Sequence, residues 1–134
     1  MAAFFEAQRQ AVESAERLAC RDELTGLFNR RRLREALDEW IPRARRERRP
    51  ISILLLDVDH FKAINDAWGH ATGDRVLQMI AELLQSSFRA QDVVCRYGGE
   101  EFCVLLCDHR ADRSQDHPTE ALFFAERVRR AAES

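Results

Sequence analysis

The chain has 134 residues, of which 46% are hydrophobic and 33% are charged, with a formal net charge of −2. This length and composition predict one domain with a core of its own. The charge balance gives no basic excess of the kind that binds DNA or RNA, so a nucleic acid polymer is not an expected partner.

The first predicted element is a helix over residues 2–20. Phe5, Val12 and Ala19 recur at heptad spacing, which is typical of a coiled-coil seam. Because the repeat is short, a single helix lying on its own domain is the alternative. Charged residues spread through this segment rule out a membrane span or a signal sequence. With four cysteines that lack paired CxxC spacing, we expect a reduced, cytoplasmic protein without membrane contact.

A helix capped by Asn29 and an apolar strand are predicted next. The helix carries its apolar face on Leu33, Leu37, Trp40 and Ala44. Residues 51–56 form an almost uninterrupted apolar run, which predicts a strand that is buried on both faces in the centre of a sheet.

Two aspartates follow that strand. Period-2 alternation would place Asp57 and Asp59 on one face, and charges at the end of a buried strand are costly unless they are paired or bind metal. One of them is expected to bind metal, with Asp59 the better candidate for a purely structural role. Residues 60–74 are predicted to form a polar turn back over a ligand, before a helix at about 74–88.

The most informative segment is a predicted hairpin between the apolar runs 93–95 and 102–107. In its turn, Gly98 and Gly99 are expected to adopt positive φ and to let a phosphate or sugar approach the backbone. Glu100 and Glu101 supply oxygen ligands for a hard cation, which predicts a magnesium–nucleotide site. A hairpin with two solvated acids is the alternative. A polar loop at 108–118 and a helix at 119–133 complete the predicted elements.

Three ordered motifs resemble the GGDEF family, the diguanylate cyclases that join two GTP molecules into cyclic di-GMP. They are Asp22-x-Leu24-Thr25-x-Leu27-x-Asn29-Arg30, the block from Asp57 to Asp74, and Gly98-Gly99-Glu100-Glu101-Phe102. The resemblance implies an α/β domain with the palm-like fold of nucleotidyl cyclases, in which helices flank a mainly antiparallel sheet behind an N-terminal helix.

The resemblance also implies the catalytic and metal-binding residues. Asp57, Glu100 and the carbonyl of Val58 are expected to hold two Mg²⁺ ions, with Mn²⁺ as a substitute. Glu101 is expected near the attacking 3′-hydroxyl, either as a metal ligand or as a proton acceptor.

Substrate-binding positions follow from the same resemblance. The amides of Phe61 and Lys62 are expected to hold the outer phosphates of GTP, and Asn65 and Asp74 to bind guanine. Each polar side chain has a simpler alternative: Asn65 capping a loop, and Asp74 capping the N-terminus of the helix that it opens.

Arg89 and Asp92 form an Arg-x-x-Asp unit, which in the family marks an inhibitory site for the product. The alternative is a solvated turn of two charged residues.

The resemblance divides the chain into an N-terminal helix, 1–20, and a GGDEF domain, 21–134, expected to lack the family's usual C-terminal strand and helix. It implies a homodimer in which two GTP-bound halves face each other. The competing expectation is a weakly active or inactive fragment that senses cyclic di-GMP or serves only for dimerisation.

Overall fold

The computed structural model describes residues 1–107 together with residues 126, 129, 130 and 133. Its helices and strands are α1 (Ala2–Ala19), α2 (Arg30–Glu47), β1 (Ile51–Asp57), α3 (Phe61–Trp68), α4 (His70–Ser87), β2 (Val93–Arg96) and β3 (Glu101–Cys107). The predicted loop at 108–118 and most of the predicted helix at 119–133 lie outside the described residues.

The strands form one antiparallel sheet in the order β1-β3-β2. β2 and β3 are the two arms of the predicted hairpin, with Cys95 opposite Cys103. β1 pairs with the other edge of β3, with Ile51 opposite Cys107 and Asp57 opposite Glu101. The expected α/β domain with an antiparallel sheet is therefore confirmed.

Helices cover both faces of the sheet. On one face, α4 contributes Leu77, Ala81 and Leu84, which pack with Phe102 and Val104 of β3. On the other face, α2 packs against the alternate residues of β2 and β3. That second cluster consists of Leu33, Ala36, Val93, Cys95, Cys103 and Leu105. The period-2 alternation of β3 thus supplies two cores, and each fully buried Leu, Val or Phe side chain stabilises the fold by about 1.5–3 kcal/mol.

β1 differs from its predicted environment. Within the described part of the chain it is an edge strand and not a central one. Leu54 and Leu56 face the α4 side, whereas Ile53 and Leu55 are 49% and 74% exposed on the opposite side. Within the described residues the prediction of two buried faces does not hold, because α2 packs over β2 and not over the outer row of β1.

The segment between α1 and α2 is closed on itself and attached to the sheet. Asn29 caps α2 as predicted, accepting the amide of Arg32 at 3.2 Å, and it also donates its side-chain nitrogen to the carbonyl of Ala19 at 2.7 Å. Phe28 bridges to Arg21 on one side and to Cys95 of β2 on the other. The end of α1 is therefore joined to the sheet through a short hydrogen-bonded loop.

The polar segment 60–74 is mostly helical, so the predicted turn is wrong. α3 begins at Phe61, and α4 begins at His70, four residues before the predicted start. Gly69 separates the two helices with φ +90° and ψ 161°, a conformation that glycine adopts without strain. Its amide donates to the carbonyl of Asn65 at 2.8 Å and its carbonyl accepts from Gly73 at 3.1 Å. One glycine thus ends one helix and starts the next.

None of the helices in the described residues combines the length and hydrophobicity needed to cross a membrane. Cys95 and Cys103 are free thiols inside the core, as predicted for reduced cysteines. Burial raises the pKa of Cys95 to about 12 and the pKa of Cys103 to about 11, so both thiols remain protonated.

Candidate active site

The register of the sheet brings together the carboxylates that the sequence places 43 or more residues apart. Asp57, the last residue of β1, lies directly opposite Glu101, the first residue of β3. The amide of Val58 donates to the carbonyl of Glu100 at 3.1 Å, which extends the pairing by one step beyond the strands. We call these four residues the carboxylate edge.

The carboxylate edge has the donor types that a hard divalent cation prefers. Asp57 and Glu101 point to the same face, since they are cross-strand partners, and like charges in that arrangement repel unless a cation lies between them. Among the described residues, no group of three or more His, Cys, Asp or Glu side chains converges into a ready metal cage. The oxygen donors present suit a hard divalent cation only if substrate or water oxygens complete its coordination.

The turn of the hairpin works differently from the prediction. Neither Gly98 nor Gly99 has positive φ, so that expectation is wrong. A Cβ at Gly98 would lie 2.9 Å from Oε1 of Glu101, whereas nothing lies within 4 Å of the same position at Gly99. The backbone amides of Tyr97 and Gly98 both donate to the carbonyl of Glu101, at 2.8 and 3.2 Å. A side chain at position 98 would therefore displace the carboxylate of Glu101, which folds back against the turn.

Arg96 fastens this turn to the N-terminal motif. Its Nε and Nη2 donate to the carbonyl of Gly99 at 3.2 and 2.8 Å, and its Nη1 reaches both carboxylate oxygens of Asp22 at 3.3 Å. Asp22 also accepts from the amide and the hydroxyl of Thr25 at 2.9 and 2.7 Å. Partial burial alone would raise the pKa of Asp22, but the bonds from Thr25 and the charge of Arg96 lower it below its ordinary value.

The helices after β1 carry the predicted substrate-binding residues, and we call Phe61, Lys62, Asn65 and Asp74 the helix corner. Phe61 and Lys62 open α3, so their amides have no acceptor within the helix. Within the described chain, the N-cap residue His60 makes no side-chain capping bond to them. These amides are therefore free of intrahelical partners and face the direction from which a phosphate would approach a helix N-terminus.

Asn65 contributes the one unpartnered buried side-chain acceptor found among the described residues, its Oδ1. It lies against Gly73 of α4, where any Cβ would overlap that oxygen. The loop-capping alternative for Asn65 is wrong, because the residue lies inside α3. A buried acceptor without a donor is costly unless a ligand supplies one.

Asp74 lies on the exposed surface of α4, beyond its first turn. Because the helix begins at His70, Asp74 cannot be its N-cap, and the structural alternative for this residue is also wrong. Asp74 follows Gly73, the residue that packs against Asn65, in the sequence of α4.

The Arg-x-x-Asp unit forms the turn between α4 and β2. Asp92 is buried, and its carboxylate accepts the amide of Arg89 at 2.9 Å, while its own amide donates to the carbonyl of Arg89 at 3.0 Å. Arg89 is exposed. The structure thus gives Asp92 a role in shaping this turn, whether or not the turn also binds a ligand.

Sequence reasoning assigned no role to Arg96, Asp22 or Gly73. Arg96 and Asp22 are 74 residues apart, and a contact at that separation leaves no local pattern. Arg96 does stand immediately before the Tyr-Gly-Gly turn, and Asp22 opens the first motif. These positions beside the motifs are the sequence signal that points to the two residues.

Comparison with known proteins identifies the family. Residues 19–132 match the family model described as diguanylate cyclase, GGDEF domain. The response regulator PleD of Caulobacter vibrioides is 45% identical over 121 residues, which cover 90% of this chain and 25% of PleD. The chain therefore spans about a quarter of the length of this curated relative.

Two solved structures extend the likeness. The coiled coil and GGDEF domain of DgcB from Caulobacter crescentus, in complex with c-di-GMP, has a TM-score of 0.83 and 31% identity, covering 95% of this chain and 63% of that one. Diguanylate cyclase SiaD of Pseudomonas aeruginosa, in complex with its activator SiaC, has a TM-score of 0.73 and 41% identity, covering 95% and 46%. The fold is therefore the palm-like cyclase fold, and the chain belongs to the GGDEF domain family.

Proposed function

We propose that this chain is a diguanylate cyclase domain that condenses two GTP molecules into cyclic di-GMP and two pyrophosphates. The observation that carries the proposal is the carboxylate edge, where the pairing of β1 with β3 places Asp57 and Val58 beside Glu100 and Glu101. Carboxylate and carbonyl oxygens brought together in this way suit metal-assisted phosphoryl transfer, and the family membership suggests the reaction.

In this proposal Asp57, Glu100 and the carbonyl of Val58 would hold two Mg²⁺ ions, or Mn²⁺ in their place. When bound, the ions would neutralise the triphosphate and lower the pKa of the 3′-hydroxyl. Glu101 stands across from Asp57 and accepts the proton of that hydroxyl or contributes to the metal site. In each transfer the 3′-oxygen bonds to the α-phosphorus of the second GTP, the bond from that phosphorus to the bridging oxygen breaks, and pyrophosphate leaves.

The helix corner binds the substrate. The free amides at the start of α3 would hold the outer phosphates. A guanine amino group would supply the donor that Oδ1 of Asn65 lacks, and the carboxylate of Asp74 would accept from the N1–H edge. Adenine has no such pair of donors, so this assignment predicts a preference for GTP.

Each domain holds one GTP, so the reaction needs two copies facing each other. The exposed apolar residues of α1, which include Phe5 and Val12 of the heptad pattern, support a coiled-coil dimer. The division at residue 20 into a dimerising helix and a catalytic domain, and a location in the cytoplasm, belong to the same proposal.

Product inhibition is a further part of it. Arg89 would bind a guanine or phosphate of cyclic di-GMP, and Asp92 the guanine edge. Since Asp92 already accepts the amide of Arg89, product binding has to use its remaining acceptor capacity. An Arg89→Ala variant that turns over normally but escapes inhibition by added product would support this site.

The proposal is tested by incubating the purified chain with GTP and MgCl₂ and measuring cyclic di-GMP by chromatography. The Glu100→Gln and Glu101→Gln variants should form no detectable product, and Glu39→Gln, an exposed residue of α2, serves as the matched control. A folded chain that binds cyclic di-GMP but forms none would replace the proposal with the sensor function.

A further inference from the structure

A cleft of about 430 Å³ opens between the start of α2 and the hairpin turn, and we call it the arginine cleft. Its volume falls in the range of sites that hold small molecules. The residues that matter for its chemistry are Arg30, Arg31, Arg96, Tyr97, Gly98 and Gly99. Its charged residues are three arginines against a single carboxylate, that of Asp22, so the cleft suits an anion.

The three arginines differ in how far their charges are neutralised. Arg96 is engaged with Asp22 and the carbonyl of Gly99. Arg31 makes an exposed pair with Glu35 at 3.5 Å, of the kind that contributes little. Arg30 is held by an aromatic ring: its guanidinium lies 4.5 Å from the ring centre of Tyr97 and donates to the Tyr97 hydroxyl at 3.3 Å.

The hold of Tyr97 on Arg30 orients the guanidinium without cancelling its charge, because a ring and a hydroxyl carry no net charge. Positions 30 to 32 are all arginine, and the first turn of α2 has no acidic residue. Cations there oppose the helix dipole, so these charges are not placed for the stability of α2. Side chains that oppose the local preference for acidic residues at a helix N-terminus are expected where they bind a ligand.

The cleft shares a wall with the carboxylate edge. Gly98 lines the cleft, and the carboxylate of Glu101 lies against Gly98. In the proposed reaction the 3′-hydroxyl beside Glu101 attacks the α-phosphorus of the GTP held by the second copy. The triphosphate of that second GTP must therefore approach Glu101, where carboxylates alone would repel it.

We propose that Arg30, assisted by Arg31, binds the triphosphate of the GTP held by the facing copy of the chain. This inference rests on the proposed cyclase function. Arg30 offsets the charge that gathers on the departing pyrophosphate as the α–β bridging bond breaks, while Glu101 receives the proton of the attacking hydroxyl. Each arginine cleft thus acts on the substrate of the other half-site and not on its own.

The test compares Arg30→Ala, Arg31→Ala and Arg30→Lys with Arg34→Ala, an exposed arginine one turn along α2 outside the cleft. Two quantities are measured: the rate of cyclic di-GMP formation, and the affinity of the chain for a non-hydrolysable GTP analogue in the presence of Mg²⁺. Arg30→Ala should lower the rate by about 10- to 1,000-fold, less than a dedicated arginine finger in a GTPase. Arg31→Ala should lower it less, and Arg30→Lys should restore part of the rate.

The affinity for the analogue, measured at a concentration that keeps the chain monomeric, should stay within about two-fold for all variants, since a monomer offers Arg30 no facing copy. The melting temperature of Arg30→Ala should change little, because removing a cation from a helix N-terminus offsets the lost contact with Tyr97. An unchanged rate in Arg30→Ala, or a loss of analogue affinity as large as the loss of rate, overturns the inference while leaving the cyclase proposal intact. Absence of product from the unmodified chain overturns both.

Discussion

The two halves of the candidate site are built on different principles. At the carboxylate edge, strand pairing and the Arg96 guanidinium satisfy the backbone of the turn before any ligand arrives. At the helix corner, the start of α3 and the buried oxygen of Asn65 keep polar groups without protein partners. The first half is therefore preorganised, and the second holds unsatisfied groups that a substrate would complete.

The largest expected effect comes from the preorganised half. Asp57→Asn keeps the size of the side chain but removes a charge from the carboxylate edge. We expect turnover to fall by roughly 100-fold or more, since the lost group stabilises charge in the transition state. Asp38→Asn, on the exposed surface of α2, is the control. Near-normal turnover in Asp57→Asn would show that this edge does not hold the catalytic metal.

Asn65→Ala should instead raise the KM for GTP by roughly 10-fold and leave the maximal rate less affected. The stability of the fold should hardly change, because the removed oxygen has no hydrogen-bond partner among the described residues. Turnover at saturating GTP and thermal unfolding together decide this. A loss confined to the maximal rate would show that Asn65 acts in the reaction step and not in GTP binding. The two halves of the site would then not differ in the way described.

Gly73→Ala should destabilise the fold by about 1–3 kcal/mol, because its methyl group would overlap the side chain of Asn65. Alanine otherwise favours a helix over glycine, so the sign of the effect depends on that overlap. The double variant Asn65→Ala, Gly73→Ala should therefore recover the stability but not the affinity for GTP. Chemical denaturation of the four proteins gives the coupling between the two positions.

Arg96→Ala should lower the stability by about 1–2 kcal/mol, because it leaves the half-buried Asp22 and the carbonyl of Gly99 without this donor. Arg75→Ala, which removes an exposed pair with Glu82 at 3.7 Å, should change it by less than about 0.5 kcal/mol. Equal losses of stability in the two variants would mean that the bonds from Arg96 to Asp22 and Gly99 contribute no more than an exposed ion pair.

The smallest expected effect is a pH dependence at Asp22. Its folded pKa lies below the unfolded value, so its contribution to stability is present above pH about 4 and is lost as the pH falls through the folded pKa. The stability difference between the unmodified chain and Asp22→Asn should therefore shrink on acidification below pH 4. A difference that stays constant from pH 7 to pH 3 would show that Asp22 contributes no charge-dependent stability.

Local pattern predicted those parts of the molecule that local chemistry determines. The turn residues at 98–99 and the apolar runs beside them predicted the hairpin, and Asn29 predicted the start of α2. Within the site, the motif residues Asp57, Val58, Glu100 and Glu101 were expected at one place, and strand register brings them there.

The remainder depends on distant packing. Which face of β1 is covered depends on where α2 lies, and the apolar run at 51–56 carries no information on that. The split of residues 61–87 into two helices depends on one positive φ at Gly69, within a segment polar enough to resemble a loop. The ion pair between Arg96 and Asp22 joins two motifs that are far apart in the sequence, so neither motif alone predicts it.

Because the segment between α1 and α2 is hydrogen-bonded to the end of α1 and to the sheet, the rotation of α1 about its own axis becomes important. Because Asn29 binds the carbonyl of Ala19 and Phe28 joins β2, the end of α1 has a fixed direction relative to the sheet, unlike a helix on a flexible linker. One residue inserted into α1 would rotate its N-terminal part by about 100° about the helix axis, whereas seven residues would nearly restore the original angle. The activity of length variants of α1 should therefore repeat with the heptad and not decline steadily with length.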